Sequence, residues 1–290
     1  MTTRFDLRLG ECVPGLALVE ANAADVAFLD PPYSDHVHKK SVRGSAAGGL
    51  GADRSRDLGF EPLTAELRLA VALELARIVR RWIGVFSDLE SCHLWRADLV
   101  AAGLEYVRSA LWIKLGGTPQ TTGDRPAQAF EVITLAHRPG RKWWNGGGKH
   151  GLYETRAEDD DLVYRVPIVG HNRRDEPRVH TTQKPVRLME ALVRDFTAPG
   201  ELILDPFAGS GTTGVAALRY GRRFLGWERD PVYHAGACTR LAETGECTEL
   251  IAITAPRPPK RKPHDLFAPA STSPLPAEPR PPTKEDDDEV

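Results

Sequence analysis

The amino-acid sequence predicts an α/β fold built on a mainly parallel sheet. Three observations predict it: short apolar runs that each stop at a polar or acidic residue, amphipathic helical stretches between them, and a glycine-rich turn directly after one run.

Taken in order, Val26 to Leu29 stops at Asp30, Ile83 to Phe86 at Ser87 and Asp88, Leu202 to Leu204 at Asp205, and Phe224 to Trp227 at Glu228. Apolar runs of this length, bounded by turn residues, read as strands. After the first of them, Leu63, Leu67, Val71, Leu75, Ile78 and Trp82 recur at three or four residues, as one face of a helix does. A second helix is expected from Pro185, a good first-turn residue; it buries Met189, Leu192, Val193 and Phe196 before Pro199-Gly200 ends it. Val215 to Leu218 carry a further helical pattern. Ligands of such sheets sit beyond the carboxyl ends of the strands, which is where Asp30, Asp205 and Glu228 fall. Two glycine-containing stretches fit neither pattern, 34–59 and about 116–172, and loops that long are usually functional or mobile.

With 290 residues, 41% of them hydrophobic, the chain can bury one substantial core, and one folded domain is expected over 1–255. Residues 256–290 are rich in proline, carry the basic cluster Arg257, Lys260, Arg261 and Lys262, and end in the acidic run Glu285 to Glu289. Such a segment cannot bury enough apolar surface to offset chain entropy, so a disordered tail is expected. Its basic cluster reads first as a solvated patch and second as a weak attraction to nucleic acid. Met1 to Leu9 holds Arg4, Asp6 and Arg8 and no long apolar run, so no signal peptide or membrane span is readable and a cytoplasmic protein is expected. Cys12, Cys92, Cys238 and Cys247 form no CxxC pair and lack histidines at ligand spacing, which predicts reduced thiols and no metal site. A formal net charge of -2 means that any nucleic-acid contact must come from local basic patches.

Two motifs carry chemistry. In Asp205-Pro206-Phe207-Ala208-Gly209-Ser210-Gly211-Thr212-Thr213, glycines let the backbone approach a ligand and the following helix offers free N–H groups. The stretch departs from GxGxxG, and Glu228 follows about twenty residues on, where a ribose hydroxyl would be held. A purely structural loop is the alternative. In Asp30-Pro31-Pro32-Tyr33, two prolines hold carbonyl oxygens rigidly beside a carboxylate and an aromatic ring. Two acceptors and a stacking face suit an exocyclic amine; a proline turn capped by a core tyrosine is the competing reading.

Together these residues resemble the amino-methylating DNA methyltransferases of bacterial restriction-modification and phage systems. The resemblance rests on Asp30 to Tyr33 coming first, a variable middle, then His180-Thr181-Thr182-Gln183-Lys184-Pro185, Asp205 to Thr213, and Gly226-Trp227-Glu228-Arg229-Asp230-Pro231. It covers most of residues 5 to 245, and its order, catalytic box before cofactor box, looks like the circularly permuted beta group. Methyltransferases with an Asn-Pro-Pro-Tyr box acting on glutamine or RNA bases place the cofactor loop first, so the order argues against them. The resemblance implies a Rossmann-like S-adenosylmethionine-dependent methyltransferase sheet with an inserted target-recognition region at about 116–172 and a mobile loop at 34–59.

By the same resemblance, Asp30, Pro31, Pro32 and Tyr33 are the catalytic residues. Phe207, Gly209, Ser210, Gly211 and Thr212 cradle S-adenosylmethionine, Asp205 reaches its amino group, Glu228 the ribose hydroxyls, and Thr182, Lys184 and Pro185 line the pocket. Glu11 stands where the family often has an aspartate near the adenine; a surface carboxylate is the alternative. The implied chemistry flips a base out of double-stranded DNA, stacks it on Tyr33, and transfers the methyl group in line to an amine held by Asp30 and the Pro31 carbonyl. Aspartate at 30 points to adenine N6 over cytosine N4, where serine is common; a silent DNA- or cofactor-binding protein on the same fold is the distant alternative.

Two segments suit a DNA grip. His36, His38, Lys39, Lys40 and Arg43 follow the catalytic box, and Arg138, Arg141, Lys142, Trp143, Trp144, Lys149 and His150 mix charge and aromatics around three glycines. His171, Arg173, Arg174 and Arg178 form a weaker patch. A cognate restriction endonuclease as partner, and a monomer or homodimer, are all compatible with the sequence.

Overall fold

The computed structural model describes residues 4–32, 63–115, 126–156 and 183–247. They fall within one compact unit, Met1–Ala252. In chain order the elements are β1 (Phe5–Leu9), α1 (Cys12–Ala17), β2 (Val26–Leu29), α2 (Ala65–Ile78), β3 (Trp82–Ser87), α3 (Cys92–Ala101), β4 (Glu105–Leu115), β5 (Phe130–His137), β6 (Leu152–Arg156), α4 (Val186–Phe196), β7 (Leu202–Asp205), α5 (Thr212–Arg219), β8 (Arg223–Glu228) and α6 (Pro231–Cys247). The 34–59 loop and the tail from residue 256 lie outside the described residues.

The eight strands form one sheet in the order β1-β8-β7-β2-β3-β5-β4-β6. The first five run parallel, β5 is antiparallel to both β3 and β4, and β6 pairs parallel to β4. The expected mainly parallel sheet is therefore present in its β1-to-β3 half, and the other half is mixed.

Side chains alternate across the strands and build a core on each face. From β2, Val26 and Phe28 join α4, α5 and α6 on one face, while Ala27 and Leu29 join α1, α2 and α3 on the other. In β3, Trp82 and Phe86 take the first face, Ile83 and Val85 the second. This three-layer arrangement explains why both strands read as continuous apolar runs: neither face meets water.

The first helical pattern ran on to Trp82, but α2 ends at Ile78. Thr64 caps its start by accepting a hydrogen bond from Leu67 N at 3.2 Å. Val79 is already extended, and Trp82 opens β3. Helix α4 begins at Val186 with Pro185 as its N-cap, and buries Met189, Leu192, Val193 and Phe196 as anticipated.

A larger difference concerns the expected insertion at 116–172. Residues 130–137 are no inserted loop: β5 sits between β3 and β4, and Glu131 to Ala136 are all buried. The apolar run Val132 to Ala136 is an ordinary strand signal, masked in the sequence by the glycine-containing stretches around it. No helix among the described residues is long and apolar enough to cross a membrane.

Candidate active site

The parallel strands deliver their carboxyl ends to one edge, and the predicted residues appear there in spatial order. Glu11 follows β1, Glu228 ends β8, Asp205 ends β7 and Asp30 follows β2. Asp30 and Asp205 are thus on neighbouring strands, registered through Ala27 and Leu204. Gly10 N donates to Glu228 O at 2.9 Å, which holds the start of α1 beside the end of β8. Glu11 itself is exposed.

The loop after β7 is shaped by left-handed backbone at two glycines. Gly209 has φ +53° with open space where a Cβ would stand, while Gly211 has φ +78° and would bring a Cβ to 3.3 Å from Ala237 of α6. The first glycine therefore keeps the ligand side open; the second lets the loop lie on α6. Ser210 and Thr212 are buried and fastened by Arg240, whose Nη1 donates to Ser210 O at 3.1 Å and Thr212 Oγ1 at 3.2 Å. Phe207 is half-buried and packs against the α1–α3 face.

Asp205 is only 3% exposed, and burial pushes its carboxyl up to about 7, against the opposing hydrogen bonds from the Thr213 hydroxyl and Phe207 N. The nearby Asp30 and Glu228 charges raise it further. A carboxylate so placed gains by meeting a cation. Glu228 is also raised by burial, opposed by N–H donors including Asp230 N at 2.7 Å and Gly209 N.

On the other side of Asp205, Lys184 Nζ lies 2.6 Å from Asp30 Oδ2 and 3.2 Å from Glu131 Oε2, and Lys114 Nζ lies 2.5 Å from Glu131 Oε1. Because β5 runs antiparallel to β3, it is the first turn of its path, at Glu131, that reaches this edge. Trp112 stands opposite Glu131 in the ladder, and the Lys184 ammonium is 5.3 Å from the Phe86 ring and 5.8 Å from that of Trp112. Burial raises the Asp30 carboxyl above its ordinary range; Lys184 opposes that shift and Glu131 adds to it.

Lys184, expected in the cofactor pocket, thus has its charged end on the Asp30 carboxylate; Pro185 beside it is buried at the α4 N-terminus. Pro31 is buried, and Pro32 lines a small cavity with Leu63, Arg68, Ser87, Ser91, Leu94 and Trp95. Tyr33, Thr182, His36, His38, Lys39, Lys40, Arg43, His171, Arg173, Arg174 and Arg178 lie outside the described residues. Sequence reasoning missed Glu131 and Lys114. Their signal was a charged residue inside an apolar strand pattern, Phe130-Glu131-Val132 and Ile113-Lys114-Leu115.

The second basic-aromatic segment is not brought to this site. His137, just before it, pairs with Trp82 and Glu105, the first residues of β3 and β4, so the segment leaves from the opposite end of the sheet. Arg138 binds the Ala76 and Arg77 carbonyls at 2.7 Å. Trp143 O accepts from Trp82 Nε1 at 2.7 Å, and Trp144 packs edge-on against Phe196 at 4.8 Å. Lys149 pairs with buried Asp195 at 2.8 Å, and Lys142 bonds the Pro139 carbonyl at 3.0 Å; Arg141 is exposed. Trp144, one of the aromatics read as part of a DNA grip, thus packs against the core, while Trp143 keeps 40% of its surface exposed.

Residues 96–238 match the family described as DNA methylase. Over 261 residues the chain is 25% identical to the type II methyltransferase M.HinfI of Haemophilus influenzae, spanning 87% of this chain and 72% of that protein. Among solved structures, M1.HpyAVI in complex with SAM superposes with a TM-score of 0.57 at 20% identity, covering 82% of this chain and 98% of that one. The PvuII DNA methyltransferase, described as cytosine-N4-specific, gives 0.60 at 13% identity, covering 85% and 93%. The fold is shared with these structures, and residues 96–238, just under half of the chain, are similar to the family described as DNA methylase.

Proposed function

We propose that the protein transfers a methyl group to the N6 amino group of adenine in double-stranded DNA, with the target base flipped out of the helix. The observation that carries this reading is the adjacency of Asp30 and Asp205 on neighbouring parallel strand ends. It sets an acceptor for an amine beside a buried carboxylate suited to a cation. Aspartate at position 30, rather than serine, supports adenine as the base.

The residues present fit S-adenosylmethionine. Asp205, buried and raised to about 7, would hold its amino group; Glu228 would take the ribose hydroxyls; the open space at Gly209 admits the ligand beside the loop. Bound there, the cofactor supplies a methyl group on a positively charged sulfur.

Asp30 accepts a hydrogen bond from the exocyclic amine, as does the Pro31 carbonyl, which concentrates the lone pair on nitrogen. Lys184 favours the ionised form of Asp30 against the effect of burial, which matters because a protonated carboxyl would donate where an acceptor is needed. Alignment and preorganised acceptors supply most of the acceleration, since no covalent intermediate is required. The permuted motif order, and the role of Tyr33 as the stacking ring, belong to this proposal.

Incubating the chain with methyl-labelled S-adenosylmethionine and unmethylated genomic DNA, then identifying the labelled nucleoside by mass spectrometry, tests the reading. Label on N6-methyladenine is expected. Label on N4-methylcytosine would replace the base and keep the site; no label on DNA would overturn the function.

A further inference from the structure

Lys184 is the hinge of a buried chain of alternating charges. Its ammonium touches Asp30 on one side and Glu131 on the other, and Lys114 closes the row from the far side of Glu131. Lys184 and Glu131 keep only 8% and 9% of their side-chain surface exposed, whereas Lys114 keeps 34%. Burying two charges, Lys184 and Glu131, beside a third is costly unless each is paired.

A lysine has four rotatable bonds and a compact charge, so a single contact would not hold its ammonium in one place. Here two carboxylates and the faces of Phe86 and Trp112 surround it. The ammonium rests on Oδ2 of Asp30. That contact occupies Oδ2 and leaves Oδ1 as the acceptor that the proposed reaction needs. The second carboxylate shares the ammonium's charge. Without it, the full charge would fall on Asp30 and weaken that group as an acceptor.

We infer that Glu131 is a positioning residue for methyl transfer, which sets, through Lys184, both the orientation and the acceptor strength of the Asp30 carboxylate. The inference rests on Asp30 being the acceptor for the amine.

Among the described residues, the charged groups facing Asp30 are Lys184 before α4, Glu131 on β5, Lys114 on β4 and Asp205 on β7. Transfer needs ionised Asp30, so its rate falls as pH falls through the Asp30 titration. Glu131 raises that titration and Lys114 lowers it. Removing each charge must therefore move the acid limb in opposite directions. The limb reads the charge that each group places on Asp30, and the plateau rate reads the orientation that Glu131 imposes through Lys184.

Single-turnover labelling of unmethylated genomic DNA by the full chain, at saturating S-adenosylmethionine across a pH series, reads this directly. Glu131→Gln, which removes the charge facing Lys184, is expected to slow the plateau rate roughly tenfold and to move the acid limb to lower pH. Lys114→Met is expected to move the limb to higher pH. Calorimetric cofactor binding by both should match wild type. Should Glu131→Gln fail to fold, Glu131→Asp, which keeps the charge but withdraws it from Lys184, takes its place: a slowed plateau with wild-type cofactor binding is expected, and a wild-type plateau overturns the positioning role. Variants that keep the wild-type limb while wild type labels DNA overturn the positioning role and leave the function intact. A wild-type chain that labels no DNA overturns both, since the role of Asp30 goes with it.

Discussion

Lys184 Nζ lies 2.6 Å from Asp30 Oδ2, joining residues 154 positions apart. The contact binds the segment ahead of α4 to the end of β2, so the folding of α4 completes the proposed catalytic carboxylate. Asp30 still keeps 26% of its side-chain surface exposed, the face left for a substrate.

Replacing Lys184 by Met removes the group that opposes the burial of Asp30. The Asp30 carboxyl then titrates higher, and methyl transfer becomes slower at neutral pH with its acid limb at higher pH. A pH series of single-turnover rates checks this; a limb that stays in place would separate Lys184 from the chemistry.

With Asp205, raised to about 7, as the proposed partner of the cofactor's amino group, cofactor binding is expected to depend on pH. A cation beside it favours the ionised form, so S-adenosylmethionine should bind more weakly as pH falls below about 7 and release a proton on binding near that pH. Calorimetry in buffers of different ionisation enthalpy measures the proton. The same shift carries a stability consequence with the opposite preference. A carboxyl raised on folding contributes stability that is present below its ordinary range and lost as pH rises through about 7. Asp205→Asn should therefore stabilise the free protein above neutrality while weakening cofactor binding, which thermal melts and titration would show together.

The two glycines of the cofactor loop should fail differently. Alanine at either costs about 1–2 kcal/mol for left-handed backbone, but at Gly211 its Cβ also meets Ala237 at 3.3 Å, so Gly211→Ala should be the less stable variant. Gly209→Val adds bulk to open space and should lower cofactor affinity beyond its effect on stability. Denaturant titration and cofactor calorimetry on both variants separate the two effects.

Phe196 is packed edge-on by Phe28, Trp82 and Trp144, at 5.7, 5.4 and 4.8 Å. Phe196→Ala should cost about 3–5 kcal/mol. Trp144→Ala should cost roughly half of that, with DNA affinity per folded molecule unchanged. A loss of DNA binding by fully folded Trp144→Ala would place Trp144 in the DNA grip.

Local patterning determined much of this protein. The strands ending at Asp30, Asp205 and Glu228, the glycine turn at 209–211 and helix α4 follow from apolar periodicity and turn chemistry, which act between near neighbours. The resemblance of the motifs to a family then indicated donor and acceptor. Tertiary structure alone decided that Lys184 faces Asp30 rather than the cofactor loop, that Glu131 and Lys114 stand behind it, and that Trp144 belongs to the core. The reason is physical: a charge inside an apolar run is unfavourable by itself and becomes tolerable only against a partner from another strand. In this fold that partner arrives because β5 reverses direction beside β3, a pairing that the local pattern of neither strand encodes.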